Sequence, residues 1–271
     1  MKEIKRDDSS SCSLKRAKKG QVTIFIILGI VIVGGAVLAY LFIPQIRSTI
    51  SGTNDPRIFI ESCMQEKIRE VVDAVSLQGG SVDPSFYYDY QGNKVEYLCY
   101  TNKYYDTCVV QQPFLQSHIE KEIHDNIQTA ANLCFEQLRE TFEGKGYSFS
   151  INKGNMTVEM LPQIIAITFN HKVTLTKGDN SQSYNEFSII LNNNLYELTS
   201  IANSILEWEA TYGDAETTRY MNYYHNLGVE KKKQSDGTTI YIITDLNNEN
   251  KFEFASRSVA WPPGYGFSQT A

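Results

Sequence analysis

Between Val22 and Ile43 the chain reads VTIFIILGIVIVGGAVLAYLFI, 22 residues with no charged side chain. As a helix, that length reaches about 33 Å, enough to cross a hydrocarbon core of about 30 Å. A run this apolar predicts a membrane helix over residues 21–43 and divides the rest of the chain around it. Ahead of it lies a short basic head, residues 1–20. Behind it, Pro44 and a polar stretch mark an exit over residues 44–55. A folded domain is expected over 56–260, followed by a Pro/Gly/aromatic tail over 261–271.

Charge gives the span a direction. The head carries seven Lys/Arg and three Asp/Glu, a net of +4, with Lys15, Arg16, Lys18 and Lys19 crowded against the span. Positive residues flanking a span stay in the cytoplasm, so the C-terminal domain is expected outside the cell membrane. A cleaved secretory signal would have an apolar core of about 7–15 residues and a small-residue cleavage site. The present run is longer and leads into Tyr40-Leu41-Phe42-Ile43-Pro44, so it is read as a retained signal-anchor. Gly35 and Ala39 form a small-xxx-small pair, the spacing that lets two membrane helices approach closely.

Of the chain's 25 basic and 31 acidic residues, 18 and 28 remain beyond the head, a net of −10. An acidic domain repels phosphate backbones, and no nucleic-acid partner is expected. Hydrophobic residues make up 42% of the chain, which is ordinary for a folded domain with its own core.

The domain reads as α+β, with helices packed on a mostly antiparallel sheet. Asp55-Pro56 is a helix start, and Ile60, Met64, Ile68, Val71, Val72 and Val75 keep one-face spacing up to Gly79-Gly80. A second helix is expected from Pro113, with a stripe from Leu115 through Ile119, Ile123, Ile127 and Cys134 to Phe142. Period-two runs follow at Ser148–Asn152, Met156–Leu161, Ile164–Lys177 and Tyr184–Leu191. A third helix is read over about 194–212, with Trp208 on its apolar side. A short helix within 214–228 and strands at Glu230–Lys233, Thr238–Thr244 and Lys251–Ala260 complete the chain. Between the first two helices, Lys94–Tyr100 and Asp106–Gln111 are expected to pair around Thr101-Asn102-Lys103. Tyr87, Tyr88, Tyr90, Tyr104 and Tyr105 fall in this region as a candidate partner surface, or else as a loop covering the core.

Cys12 lies on the cytoplasmic side of this topology, leaving Cys63, Cys99, Cys108 and Cys134 outside. An even number in an outward-facing domain argues for two disulfides, and four cysteines allow three connectivities. The expected pairing is Cys99 with Cys108 across the hairpin and Cys63 with Cys134 between the first two helices. Their separations offer no CxxC or CxxH spacing, so no metal is expected. His118 and Glu122, like Glu120 and His124, share a helix face at i,i+4. The two histidines are six apart, unlike a zincin pair, and this face is read as solvated. Asn155-Met156-Thr157 is an N-glycosylation acceptor pattern. No P-loop, nucleophile elbow, dinucleotide fingerprint or HExxH occurs, so neither catalysis nor a cofactor is expected.

Lys18-Lys19-Gly20-Gln21-Val22-Thr23 before a long apolar helix resembles the class III signal segment of archaeal type IV pilin-like proteins. The resemblance implies a prepilin peptidase as partner, cutting between Gly20 and Gln21. It also implies other pilin-like subunits, or further copies of this chain, as filament partners. Phe25 stands where many such proteins carry the Glu that registers subunits. Glu61-Ser62-Cys63 opening one helix and Leu133-Cys134-Phe135 in the next resemble uncharacterised membrane-anchored proteins of small-genome, DPANN-type archaea. The sequence therefore raises the expectation of a single-pass, bilayer-anchored surface protein displaying its domain for adhesion, to a cell surface or glycan, or for subunit contact. An extracytoplasmic sensor or ligand-binding accessory domain of a membrane complex is the alternative.

Overall fold

The structure, a computed structural model, describes residues 55–260, with Gly29 the sole described position ahead of them. The head, the span apart from Gly29, the 44–54 stretch, Gly20, Gln21 and the 261–271 tail lie outside the described residues. Among the described residues, no helix is long and apolar enough to cross a membrane.

The domain opens on helix α1, Pro56–Leu77, which starts because its first orphan amide is met locally. Asp55 caps it by accepting the Arg57 N–H at 2.9 Å, and Pro56 fills the first turn. Helix α2, Leu115–Gly144, spans 30 residues, about 45 Å. Its buried stripe runs through Leu115, Ile119, Ile123, Ile127, Ala131, Cys134, Leu138 and Phe142, the i, i+4, i+8 spacing of one helix face. A Cβ on Gly80, just past the end of α1, would meet Leu115 and Ile119 at the start of α2. Farther along, Cys63 of α1 is bonded to Cys134 of α2 with Cα atoms 6.0 Å apart. The two helices therefore lie antiparallel, joined covalently near one end and packed closely at the other.

The strands form three sheets. Six strands make the largest: β1 (Tyr87–Tyr90), β2 (Asn93–Tyr100), β3 (Val109–Val110), β10 (Leu227–Lys233), β11 (Thr238–Asp245) and β12 (Lys251–Arg257). Their order is β1-β2-β12-β11-β10, with β3 also on β2. The β2–β12 pair is parallel and the others are antiparallel. Strands β4 (Ser148–Asn152), β7 (Lys172–Lys177) and β8 (Asn180–Tyr184) form one three-stranded sheet. Strands β5 (Met156–Leu161), β6 (Ile164–Phe169) and β9 (Phe187–Asn192) form the other. Helices α3 (Leu195–Tyr212) and α4 (Thr218–Tyr223) connect this region to β10. The α+β class and the largely antiparallel pairing match the sequence reading.

Three strand readings need correction, one of them Tyr184–Leu191, whose first residue ends β8 while β9 begins only at Phe187. Ile164–Lys177 is two strands, broken at Asn170-His171. The buried positions 165, 167, 169, 171, 173 and 175 keep a period of two straight through the break, so the pattern carries no mark of it. What changes is the partner: β6 pairs with β5 and β9, and β7 with β4 and β8. Strand β1, Tyr87–Tyr90, lies outside the expected hairpin. It pairs with β2 through a two-residue turn in which Gln91 and Gly92 both have positive φ, 52° and 89°, as a type I′ hairpin requires. Cys99 and Cys108 are bonded, their Cα atoms 5.4 Å apart. The second arm of the expected hairpin shrinks to the two residues of β3.

One hydrophobic core runs through α1, α2, α3 and the inward faces of all three sheets. A smaller cluster, Val95, Tyr97, Ile240, Ile242 and Ala255, lies on the opposite face of the six-stranded sheet. Tyr88 and Tyr90 pack against this cluster, and the Tyr88 hydroxyl reaches Gln234, just past the end of β10, at 3.4 Å.

A carboxylate is buried where α3 meets the six-stranded sheet. Glu209 of α3 is 2% exposed. Its carboxylate accepts from the Tyr241 hydroxyl, the Ser256 hydroxyl at 3.0 Å and the Ala215 N–H at 2.9 Å. Burial, and then the neighbouring Glu209 charge, push the Tyr241 hydroxyl well above its ordinary pKa, so it remains a donor. A buried carboxylate is tolerable only with such partners. Here they tie α3 to β11 and β12.

Candidate functional site

A cleft of about 330 Å³ opens between α2 and two strand connections. From α2 come His124, Gln128 and Asn132, four residues apart and hence stacked on one helix face, with Ala131 beside them. Opposite stand Lys153, Gly154, Asn155 and Met156 at the β4–β5 turn, and Phe169 and His171 at the β6–β7 break.

The two connections hold each other in place. The Asn170 N–H donates to the Asn155 carbonyl at 2.9 Å, and Asn170 Nδ2 donates to Asn155 Oδ1 at 3.0 Å. The Gly154 N–H donates to His171 Nδ1 at 3.2 Å, while Lys153 Nζ reaches across to Asn132 Oδ1 at 3.2 Å. A Cβ on Gly154 would stand 1.9 Å from the Asn170 carbonyl oxygen. Gly154→Ala is therefore expected to force the connections apart and cost about 1–3 kcal/mol, read as a lowered denaturation midpoint at unchanged m-value. A change under about 0.5 kcal/mol would show that the turns are not locked together.

His171 is 7% exposed, with its ring 4.7 Å from Phe135 and 5.9 Å from Phe169. Burial, aided by the Lys153 charge, holds its pKa below the ordinary histidine value, so the imidazole is neutral at pH 7. Because Nδ1 accepts from Gly154, Nε2 carries the proton and is a donor. Asn155 likewise uses its oxygen on Asn170, leaving its Nδ2 to donate elsewhere. Lys153 has given one of three N–H groups to Asn132. The cleft is thus rich in N–H donors, over a floor that includes Phe169 and Met156. Asn155, the predicted glycosylation acceptor, is exposed at its rim. Sequence reasoning missed this constellation because Lys153 and His171 sit at strand ends 18 residues apart, with no motif joining them.

A second polar group surrounds Ser81, which is 7% exposed. Its hydroxyl lies 2.6 Å from Glu96 Oε2 and 2.9 Å from His118 Nε2. In a hydrolytic triad the imidazole stands between nucleophile and carboxylate. Here the hydroxyl is in the middle, so the arrangement closes a loop rather than activating a nucleophile. Glu122 joins in by accepting the Val82 N–H at 3.0 Å, and Glu120 accepts the Met160 N–H at 2.8 Å. The α2 face read as solvated instead anchors the Ser81 loop and β5. Among the described residues, no group of three or more His, Cys, Asp or Glu side chains is arranged to hold a metal ion.

The candidate tyrosine surface divides. Tyr88 and Tyr90 point their rings into the smaller cluster and are half-buried, while Tyr87, Tyr104 and Tyr105 are exposed. Phe86, Tyr97 and Tyr100 form a ring trio with centroids 4.7–5.1 Å apart. Arg257 lies over the rings of Tyr100 and Tyr104. Phe86, Tyr100 and Tyr104 thus form an aromatic group with a cation set within it, while Tyr87 lies under Lys94.

Searches with this chain found no matching family model, curated protein or solved structure.

Proposed function

We propose that this chain is a single-pass membrane-anchored surface protein, its N-terminus cytoplasmic and its disulfide-stabilised domain displayed outside the cell for adhesion or subunit contact. The pair of disulfides carries the reading. Cys63–Cys134 and Cys99–Cys108 take up all four cysteines of the domain, and such bonds persist in oxidising compartments and are rare in the cytosol. The apolar run at 21–43 and the basic residues before it supply the anchor and its direction. The exposed rings of Phe86, Tyr87, Tyr104 and Tyr105 supply aromatic side chains of the kind interfaces favour. In this reading the protein is not an enzyme, and its partners are the bilayer and a cell-surface, glycan or subunit ligand.

Processing by a prepilin peptidase at Gly20–Gln21 makes the finer version of the proposal. N-terminal sequencing of the protein extracted from membranes of an archaeal host with that peptidase decides it. A mature chain beginning at Gln21 is expected, and one beginning at Met1 would remove the pilin-like version while leaving the anchor.

The donor-rich cleft favours a second reading, an extracytoplasmic ligand-binding accessory or sensor domain of a membrane complex. Recovery of a multispan protein with this chain after mild detergent extraction is the result that reading expects.

A further inference from the structure

We infer that the cleft between α2 and the β4–β5 and β6–β7 connections binds a small anion carrying a carboxylate or phosphate group. The inference rests on the second reading above and gives its ligand a chemical class. Lys153 contributes an ammonium with N–H groups beyond the one given to Asn132. His171 contributes Nε2–H, because Nδ1 is taken by Gly154. Asn155 contributes Nδ2, because its oxygen is taken by Asn170. Gln128 adds a side-chain amide from the helix side. Donors from three segments thus line one cleft, and an oxyanion, which accepts at every oxygen, satisfies them together.

The carboxylate beside His124 of the cleft is already paired. Asp125 is held by Lys121 at 2.6 Å and by His124 Nδ1 at 2.9 Å. The Lys121 bond, then the His124 bond, keep its pKa below the usual carboxylate value. The domain's net negative charge acts over distances that salt screens beyond about 8–10 Å, whereas the cleft acts by contact. Its volume of about 330 Å³ lies at the small end of the range for metabolite pockets. Hydrogen bonds between the two connections hold Asn155 and His171 in place, so little ordering of those donors opposes binding.

The test is calorimetric titration of the full chain in detergent micelles with inorganic phosphate, citrate and glucose, at fixed ionic strength. One or both anions are expected to bind with a Kd of about 1 mM or tighter, and glucose more weakly. Phosphate alone identifies a phosphate ligand, and citrate alone a carboxylate; each supports the assignment. Lys153→Gln is expected to weaken the bound anion at least about tenfold, while Lys251→Gln, at the start of β12, leaves it unchanged. Should Lys153→Gln alter the circular dichroism, Gln128→Ala on the exposed helix face replaces it, with about threefold weakening expected. No binding by either anion, tighter binding of glucose, or equal loss in the Lys153 and Lys251 variants would overturn the assignment. Display outside the cell is measured separately, so a displayed domain that binds neither anion defeats this inference alone.

Discussion

Replacing Cys63 and Cys134 together by alanine is expected to lower the unfolding free energy by about 4 kcal/mol, against about 3 kcal/mol for Cys99 and Cys108. The order follows from loop length. The first bond closes a separation of 71 residues and the second only 9, and the entropy removed from the unfolded chain grows with the logarithm of the loop. Position works in the same direction. Cys134 is 4% exposed in the stripe of α2, so losing its bond also loosens the contact between the two long helices. In a domain of this size the larger loss lowers Tm by about 8–16 °C. Differential scanning calorimetry of the two double variants makes the comparison. If losing Cys99–Cys108 costs more than losing Cys63–Cys134, the helix pair is not the main beneficiary.

Glu209→Ala is expected to cost about 3–5 kcal/mol, since each buried donor left without a partner costs about 1–3 kcal/mol. The substitution strands the Tyr241 and Ser256 hydroxyls and the Ala215 N–H inside the core, all of which now donate to one carboxylate. Glu209→Gln separates hydrogen bonding from charge. The amide oxygen still accepts from Tyr241 and Ala215, and its NH₂ donates to Ser256 Oγ, so the cost falls to about 1–2 kcal/mol. Tyr241→Phe removes one donor without stranding an acceptor that has others, and costs about 1 kcal/mol. Urea denaturation of the three variants gives the series directly. Equal losses for Glu209→Ala and Glu209→Gln would mean that charge, not the geometry of acceptance, holds α3 to the sheet.

Helices were the most legible part of the fold, and the reason is physical. A stripe such as Leu115 to Phe142 repeats one-sided burial over eight turns, and Asp55-Pro56 states its own start. Strand ends were harder to read because burial alternates whether or not the partner changes. Residues 165–175 alternate without interruption across a break that only β4, β5, β8 and β9 impose. Strand β1 was hidden because its four residues, Tyr87–Tyr90, bury only alternate positions partway, and its turn shows a single glycine.

Glu209 did leave a trace. The buried positions of α3 are 195, 198, 199, 202, 205, 206 and 209, so the glutamate falls on the stripe while Trp208 sits half-buried beside it, its ring tilted against Tyr212. Hydropathy marks a glutamate as solvent-facing, and only its position on the helix argues otherwise. The disulfide pairing was accessible because Cys63 and Cys134 each lie on or beside a helical stripe, which brings them to one helix–helix contact. The cleft was not accessible, since hydrogen bonds between two turns created its donor pattern.

Display of the domain on the outer side of a membrane is the central claim, and protease and thiol accessibility in intact cells test it most directly. Cells expressing the full chain are treated with a protease that cannot enter them, and a parallel sample with a membrane-impermeant maleimide before and after reduction. The expected result is digestion of the domain without lysis, with its four cysteines unreactive until a reductant is added. A domain protected until the cells are broken, with its cysteines then reactive without reductant, would contradict both the orientation and the compartment.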